Sequence, residues 1–497
     1  MQQLNVSGGQ SQRYMRFRHI HSATCGCKCA SPVVRSFHRR VSTDLMHRMS
    51  LGGMEAAVLP FTGFKSDSAF AQQPKTSTRP ILLTNLRLFD GITSAVTQGR
   101  NVRIEGNKVV DLPAAGEAPG DVEIIDCGGR LVMPGLIDAH WHSTLCGLTQ
   151  MQAMTADVPY IHLVAANEAQ RTLMRGFTTT RDAGGPSFAL KRAIDEGLVH
   201  GPRIYPSGAM ITQTSGHGDF RMRSEIPRAD GDITHTMRAG VSSIADGESE
   251  VLRRAREELM LGASQIKLMA GGGVASPYDP LDSLQFTEAE LRAGVAAASD
   301  WGTYVMVHVY TAKGIERAVR AGVRSIEHGQ LADEEVVRMM ADKGIWWSLQ
   351  PFLADEDSNK LAEPAARANQ LRVAQGTVKA YEMAQKFNIQ TAWGTDILFT
   401  PQNLPNHGRM LAKLTRFYQP LDLLRMATGQ NGELLMMSGL RNPYEGGLGT
   451  IAPGSLADIL VADGDPTVNL DFLTDPETNL RLIMKDGKIY KSTLSAL

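Results

Sequence analysis

Eight short apolar runs, separated by helical patterns, occupy the middle of this chain and constrain its architecture more than any other feature. They are Gly135–His142, Phe177–Asp182, Arg203–Ser207, Ser264–Met269, Tyr304–Val309, Val323–His328, Ile345–Gln350 and Gln390–Asp396. Each carries β-branched or aromatic residues and is too short for a buried helix, so each reads as a strand. Helices are expected between them, among others at Glu248–Leu261 and Glu288–Trp301. The second opens on a capping-box pattern, Thr287-x-x-Glu290. Strands and helices alternating eight times over about three hundred residues predict an α/β fold, a (β/α)8 TIM-like barrel.

Both flanks have another texture. ILLTNLRLFDG, NVRIEGNKVVDL and VEIIDCGG, between Ile81 and Gly129, are alternating runs broken by turn signals. ADILVADGDP and LRLIMKDGKIYK repeat that texture near the carboxyl terminus. These read as antiparallel strands, and the simplest packing joins both ends in one small β-sandwich. The expected organisation is a leader over residues 1–71, sandwich strands over 72–134 and 441–497, and the barrel over 135–440.

At 497 residues the chain has room for one large barrel and an appended domain, and its 42% hydrophobic content is ordinary for a soluble enzyme. No apolar stretch is long enough to span a membrane. Of 51 basic and 52 acidic residues, nine and three fall in residues 1–71, leaving a mildly acidic body of 42 and 49. Such a body has no electrostatic footprint for nucleic acid. The basic front end resembles an export signal: Arg39-Arg40, an apolar stretch from Met49 to Phe64, and Ala69-Phe70-Ala71 as a cleavage site. Asp44 and Glu55 depart from that pattern, which leaves an ordinary secretory signal or a disordered tail open, with translation starting at Met1, Met15 or Met46. A cleaved signal implies a periplasmic or secreted protein, and a tail a cytoplasmic one. Cys25, Cys27 and Cys29 lie within this leader, and Cys127 and Cys146 are too few for a disulfide framework.

The reactive residues gather at strand ends. His140 and His142 end the first run, Lys267 lies near the end of the fourth, and His308, His328 and Asp396 close the fifth, sixth and eighth. A barrel carries all six on its carboxyl-terminal rim, where barrel enzymes keep their chemistry. Strand alternation puts His140 and His142 on one face and Trp141 on the other. Two neutral imidazoles on one face suit a divalent metal of the zinc type, although an isolated pair could equally be core histidines. Lys267 sits inside the apolar run Gln265–Met269, where desolvation favours the neutral amine; a snorkelling lysine is the alternative. Asp396 ends an apolar strand, an expensive place for a carboxylate without a cation. Gly271–Gly273 reads as a tight turn rather than a phosphate cradle.

In chain order, PGLIDAHWH, IKLMAGGG, HVY, SIEHG and WGTD resemble the amidohydrolase superfamily of binuclear metal hydrolases. Within it, the likeness is to the imidazolonepropionase-related prolidases and the ochratoxinase-type amidohydrolases, over residues 80–490. The resemblance implies two divalent metal ions, zinc foremost, with manganese or cobalt suited by the same ligands. His140, His142 and Asp396 would hold the more buried metal, and His308 and His328 the second. Lys267, carrying CO2 as a carbamate, would bridge both. Asp396 would also take a proton from the attacking water and pass it to the leaving amine. His217, in the glycine-flexed loop Thr214–Asp219, and Tyr310 would grip a substrate carboxylate, with a loop histidine and a packing tyrosine as alternatives. The implied partners are a small-molecule amide or dipeptide and further copies of the chain in a homo-oligomer.

The implied reaction is hydrolysis of an amide next to a carboxyl-terminal amino acid, in Xaa-Pro dipeptides, N-acyl amino acids or aryl amides such as ochratoxin. Opening of a cyclic amide and a non-catalytic ligand-binding barrel are the alternatives. Asp458, Trp346, Trp347 and Trp393 read as structural. Of His162, His200, His235 and His407, only His407 is expected near the site.

Overall fold

Strand alternation and turn residues divide the chain at nearly the expected places. The computed structural model describes residues 74–494 except 118–119, 227–231, 277 and 357. The leader and its cysteines lie outside the described residues. In chain order the strands are β1 (Ile81–Phe89), β2 (Val96–Thr97), β3 (Val102–Glu105), β4 (Lys108–Asp111), β5 (Glu123–Pro134), β6 (Leu136–Trp141), β7 (Phe177–Asp182), β8 (Arg203–Tyr205) and β9 (Met210–Thr212). There follow β10 (Ser242–Ile244), β11 (Ile266–Met269), β12 (Val305–Thr311), β13 (Ser325–Leu331), β14 (Trp346–Leu349), β15 (Thr391–Trp393), β16 (Ile459–Ala462), β17 (Leu480–Lys485) and β18 (Lys488–Ser492).

The middle of the chain forms two parallel sheets. One is ordered β6-β7-β8, the other β10-β9-β11-β12-β13-β14-β15. Helices Ala312–Ala321, Glu334–Asp342 and Pro364–Lys386 make the crossovers from β12 to β15. Glu248–Leu261 and Glu288–Asp300 flank β11. The capping box forms as expected: Glu290 accepts from Thr287 N (2.7 Å), and Glu290 N donates to Thr287 Oγ1 (3.3 Å). Backbone hydrogen bonds also run between the two sheets, one beside the edge strands β6 and β15 and one from just before β11 to just after β8. Asp396 N donates to His140 O (2.9 Å), and Ser264 N donates to Pro206 O (2.8 Å).

The third expected strand is shorter than the reading Arg203–Ser207. It stops at Tyr205, because Pro206 has no N–H and Gly208 turns into the left-handed region. The chain rejoins as β9, and the buried Gln265 amide bonds Tyr205 O (2.8 Å) and Asp182 O (3.1 Å) near the break. With three residues each, β9 and β10 are too short to leave an alternation signal.

The two ends of the described chain meet in one eight-stranded sheet, ordered β18-β17-β16-β5-β1-β3-β4, with β2 on β1. Its ladders are antiparallel as expected, except that β1 and β5 run parallel. The β3–β4 hairpin takes one edge of β1, so the chain crosses to the other edge before pairing again. Alternation along β5 sends Leu131 and Met133 into the main core and Val132 into a separate apolar cluster with Leu83, Val461 and Leu482. Asp458 is structural, as read: it pairs with Arg203 of β8, which also reaches Asp486 (2.7 Å). No helix among the described residues is long and apolar enough to cross a membrane.

Candidate metal centre

Every residue of β6 is buried, so its imidazoles sit among packed neighbours that fix their direction. Trp141 turns to the core and stacks on His407 at 4.5 Å. His140 and His142 turn to a cavity of about 240 Å3. Asp138 fastens β6 to the segment carrying Asp396. Its carboxylate accepts from His140 N (2.9 Å), Thr395 Oγ1 (2.7 Å) and His407 Nε2 (2.9 Å). His407, expected near the site, stands behind β6, linked to His140 and Thr395 through the Asp138 carboxylate, and burial pushes it down to about 4.

His140, His142 and Asp396 form a group whose possible ligand atoms lie within 4.8 Å of one another. His140 donates from Nδ1 to Glu327 (2.7 Å), and His142 donates from Nδ1 to Gly184 O (2.8 Å). Both Nε2 atoms then carry lone pairs, 3.4 and 3.1 Å from Asp396 Oδ1. Burial pushes the Asp396 carboxyl up, but His140, His142 and His328 outweigh it and hold it well below the usual carboxylate range. Glu327 is in turn gripped by Arg181 (2.7 and 2.8 Å) and Ser325 (2.6 Å), all buried. An acid so placed stays ionised and pins the His140 ring.

Lys267 is buried on β11, and burial pushes its amine down to about 8 against the opposing pull of Glu327 and Asp396. Among the described residues, no ion pair joins it to an acid. His308 and His328, with ring centroids 4.4 Å apart, are both driven well below the usual imidazole range, mainly by burial. His140 Nε2 and His328 Nδ1 are buried without a hydrogen-bond partner. Orphaned imidazole nitrogens, a carboxylate and a largely deprotonatable amine in one cavity fit divalent metal ions.

Two residues of this set adopt backbone that alternation cannot foresee. His328, in the middle of β13, has φ 72° and Asp396, three residues past β15, has φ 54°, the left-handed region, which breaks the regular strand direction of each side chain. Such conformations cost about 1–3 kcal/mol each and persist where surrounding contacts hold them. Thr395, bound to Asp138, is one such contact.

His217 lies on its loop with Nδ1 3.0 Å from Asp279 Oδ2 and its ring stacked on His308 at 4.1 Å. A Cβ on Gly273 would fall 1.8 Å from the His217 ring, so the expected glycine turn serves a close approach. Tyr310 meets His308 edge-on at 5.2 Å and His328 at 5.1 Å. All eight expected site residues line the one cavity. The supporting residues Asp138, Arg181, Glu327 and Asp279 were missed. Arg181, a charge inside the strand run Phe177–Asp182, carried the same signal as Lys267; Asp279, in a loop, carried none.

Residues 131–490 match the model of the amidohydrolase family. The chain is 31% identical over 381 residues to the ochratoxinase of Aspergillus niger, covering 73% of this chain and 76% of that protein. It is 25% identical over 360 residues to the imidazolonepropionase of Deinococcus radiodurans, covering 70% and 81%. Among solved structures it is similar to a prolidase complexed with N-methylphosphonate-L-proline. That match has a TM-score of 0.76 and 32% identity, and covers 83% of this chain and 100% of the other.

Proposed function

This chain belongs to the amidohydrolase family, a hydrolase acting on carbon–nitrogen bonds, and from that premise we propose that it cleaves an amide next to a carboxyl-terminal amino acid. The observation that carries this reading is the convergence of His140, His142, Lys267, His308, His328, Asp396, His217 and Tyr310 on one cavity. His140, His142 and Asp396 would hold one divalent ion and His308 and His328 a second, with Lys267, as a carbamate, the ligand between them. Zinc is the first choice for both. Such ions would supply the acidity that makes a bound water nucleophilic at neutral pH and would polarise the scissile carbonyl.

The remaining work belongs to the chain. Asp396, a carboxylate beside the imidazole ligands, would accept the proton of the attacking water and return it to the leaving nitrogen. Glu327 and Gly184 keep the Nε2 lone pairs of His140 and His142 facing Asp396. His217 and Tyr310 hold the carboxylate of the departing amino acid. The solved prolidase is similar to this chain, and its bound N-methylphosphonate-L-proline is an amino acid derivative with such a carboxylate. In architectural terms, closure of the two parallel sheets into a (β/α)8 barrel is supported by the backbone hydrogen bonds that run between them. A sandwich-like end domain is supported by its own apolar cluster.

The test is a series of N-acyl amino acids and Xaa-Pro dipeptides, each as free acid and as amide, with the metal-loaded enzyme. Hydrogen bonds to a charged group are worth roughly 1.5–3 kcal/mol each, so the acids should be favoured by one to several orders of magnitude in kcat/KM. Tyr310→Phe should narrow that gap with bound metal unchanged. Equal efficiency on acid and amide would overturn the carboxylate grip and favour cyclic-amide opening, the reading suggested by the imidazolonepropionase likeness.

A further inference from the structure

A second cavity, about 260 Å3, adjoins the metal cavity and shares Tyr310, Asp396, Val274 and Leu398 with it. Its lining is largely apolar, with Phe352, Leu353, Ile397 and Met410. Together the two volumes fall within the roughly 300–1,000 Å3 of ordinary small-molecule sites. Two cations also line the second cavity, Arg367 and Lys413, and their surroundings differ.

Lys413 is matched by Asp355 at 3.2 Å. Arg367, in the first turn of helix Pro364–Lys386, donates from Nη1 to the neutral Gln370 Oε1 (2.5 Å). Among the described residues no ion pair joins it to an acid. Gln370 is itself braced, donating to Asn359 O (2.6 Å) and accepting from Leu361 N (3.3 Å). Glu363, one turn earlier, spends its carboxylate on capping the helix at Ala366 N (2.6 Å). The guanidinium is therefore held in place by an amide, and no acid among the described residues pairs with its charge beside the apolar walls. An anionic group on a ligand would supply the missing partner, in the planar geometry arginine favours.

We propose that this second cavity receives the acyl part of the substrate and selects a bulky apolar acyl group bearing a carboxylate, which Arg367 binds. The inference rests on the amide-hydrolase reading of the metal cavity. With the leaving amino acid held at His217 and Tyr310, the far side of the scissile carbonyl extends past Asp396 into the adjoining space. Apolar walls take the ring or chain, and Arg367 reads its charge.

The test compares N-(4-carboxybenzoyl)- and N-(4-carbamoylbenzoyl)-phenylalanine, which are near-isosteric and differ in charge. The acid should be favoured on the order of tenfold in kcat/KM, mainly through KM, the worth of one charge-assisted hydrogen bond at a partly exposed arginine. Arg367→Gln should bring the ratio to about one, and Arg367→Lys should keep part of it. Calorimetric titration with the two product acids, terephthalate and 4-carbamoylbenzoate, reads the same preference without turnover. Hydrolysis of both substrates with no preference in rate or binding overturns the assignment. If neither is hydrolysed, an Arg367-dependent preference for terephthalate upholds the cavity assignment while the amide-hydrolase reading fails. No hydrolysis and no such preference overturns both.

Discussion

Two buried lysines in this protein share a number and differ in everything else. Lys267 on β11 and Lys485 at the end of β17 are both buried, and burial pushes both down to about 8. Each has an acid nearby, the half-buried Asp396 in one case and the buried Asp458 in the other. Around Lys267, four imidazoles and Asp396 open onto a shared cavity. Around Lys485, the acids are taken up by Arg203, which ties the end sheet to β8. A depressed lysine is thus not a site by itself. It becomes one where unpartnered ligand atoms converge on space that a cation and a substrate can enter.

The largest effect should separate the two lysines outright. Lys267→Ala is expected to lose most bound metal and nearly all activity, with partial rescue by short carboxylic acids that replace the bridge. Lys485→Met should keep its metal complement and turnover. Elemental analysis and assay of both variants decide it, and normal metal in Lys267→Ala would break the comparison.

The acids sharpen it next. Asp396→Asn should reduce kcat by about 10²–10⁴-fold, as expected for loss of a proton carrier, with substrate binding far less affected. Asp458→Asn should leave kcat intact and instead lower stability, by less than the about 3–5 kcal/mol of a fully broken buried pair, because Arg203 keeps Asp486. Steady-state kinetics and denaturant unfolding, run on both variants, distinguish the roles. Near-normal turnover in Asp396→Asn would move the general base elsewhere.

The smallest effect concerns pH. Lys485 has a folded value of about 8 against 10.5 for the free side chain, so between those values the unfolded chain binds more protons than the folded one. Stability should therefore rise with pH across that window, by up to about 3 kcal/mol relative to Lys485→Met. A flat difference between wild type and variant from pH 8 to 10.5 would mean that Lys485 keeps its proton on folding.

Much of the site was legible because strand-end position and residue type are local properties. His140, His142, Lys267, His308, His328 and Asp396 each stand where an apolar run stops, and a parallel α/β fold gathers such ends on one rim. The helix at Thr287 and the β-rich flanks were legible for the same reason, through caps and alternation. Pairings across the chain were not. Glu327 stands beside His328 in sequence, yet its carboxylate serves His140, 187 residues away, and Arg181 from a third strand. The parallel β1–β5 ladder and the break between β8 and β9 depend on which edges remain free once other strands have paired.

By itself, then, the sequence determined which residues could bind metal, where each strand would deliver them, and the alternating pattern that brings the strands together. The tertiary structure decided how they are aimed. It set the left-handed backbone of His328 and Asp396, the tautomers imposed on His140 and His142 by Glu327 and Gly184, and the amide that holds Arg367. Those outcomes depend on contacts between segments far apart in the chain, and local propensity carries no record of such contacts.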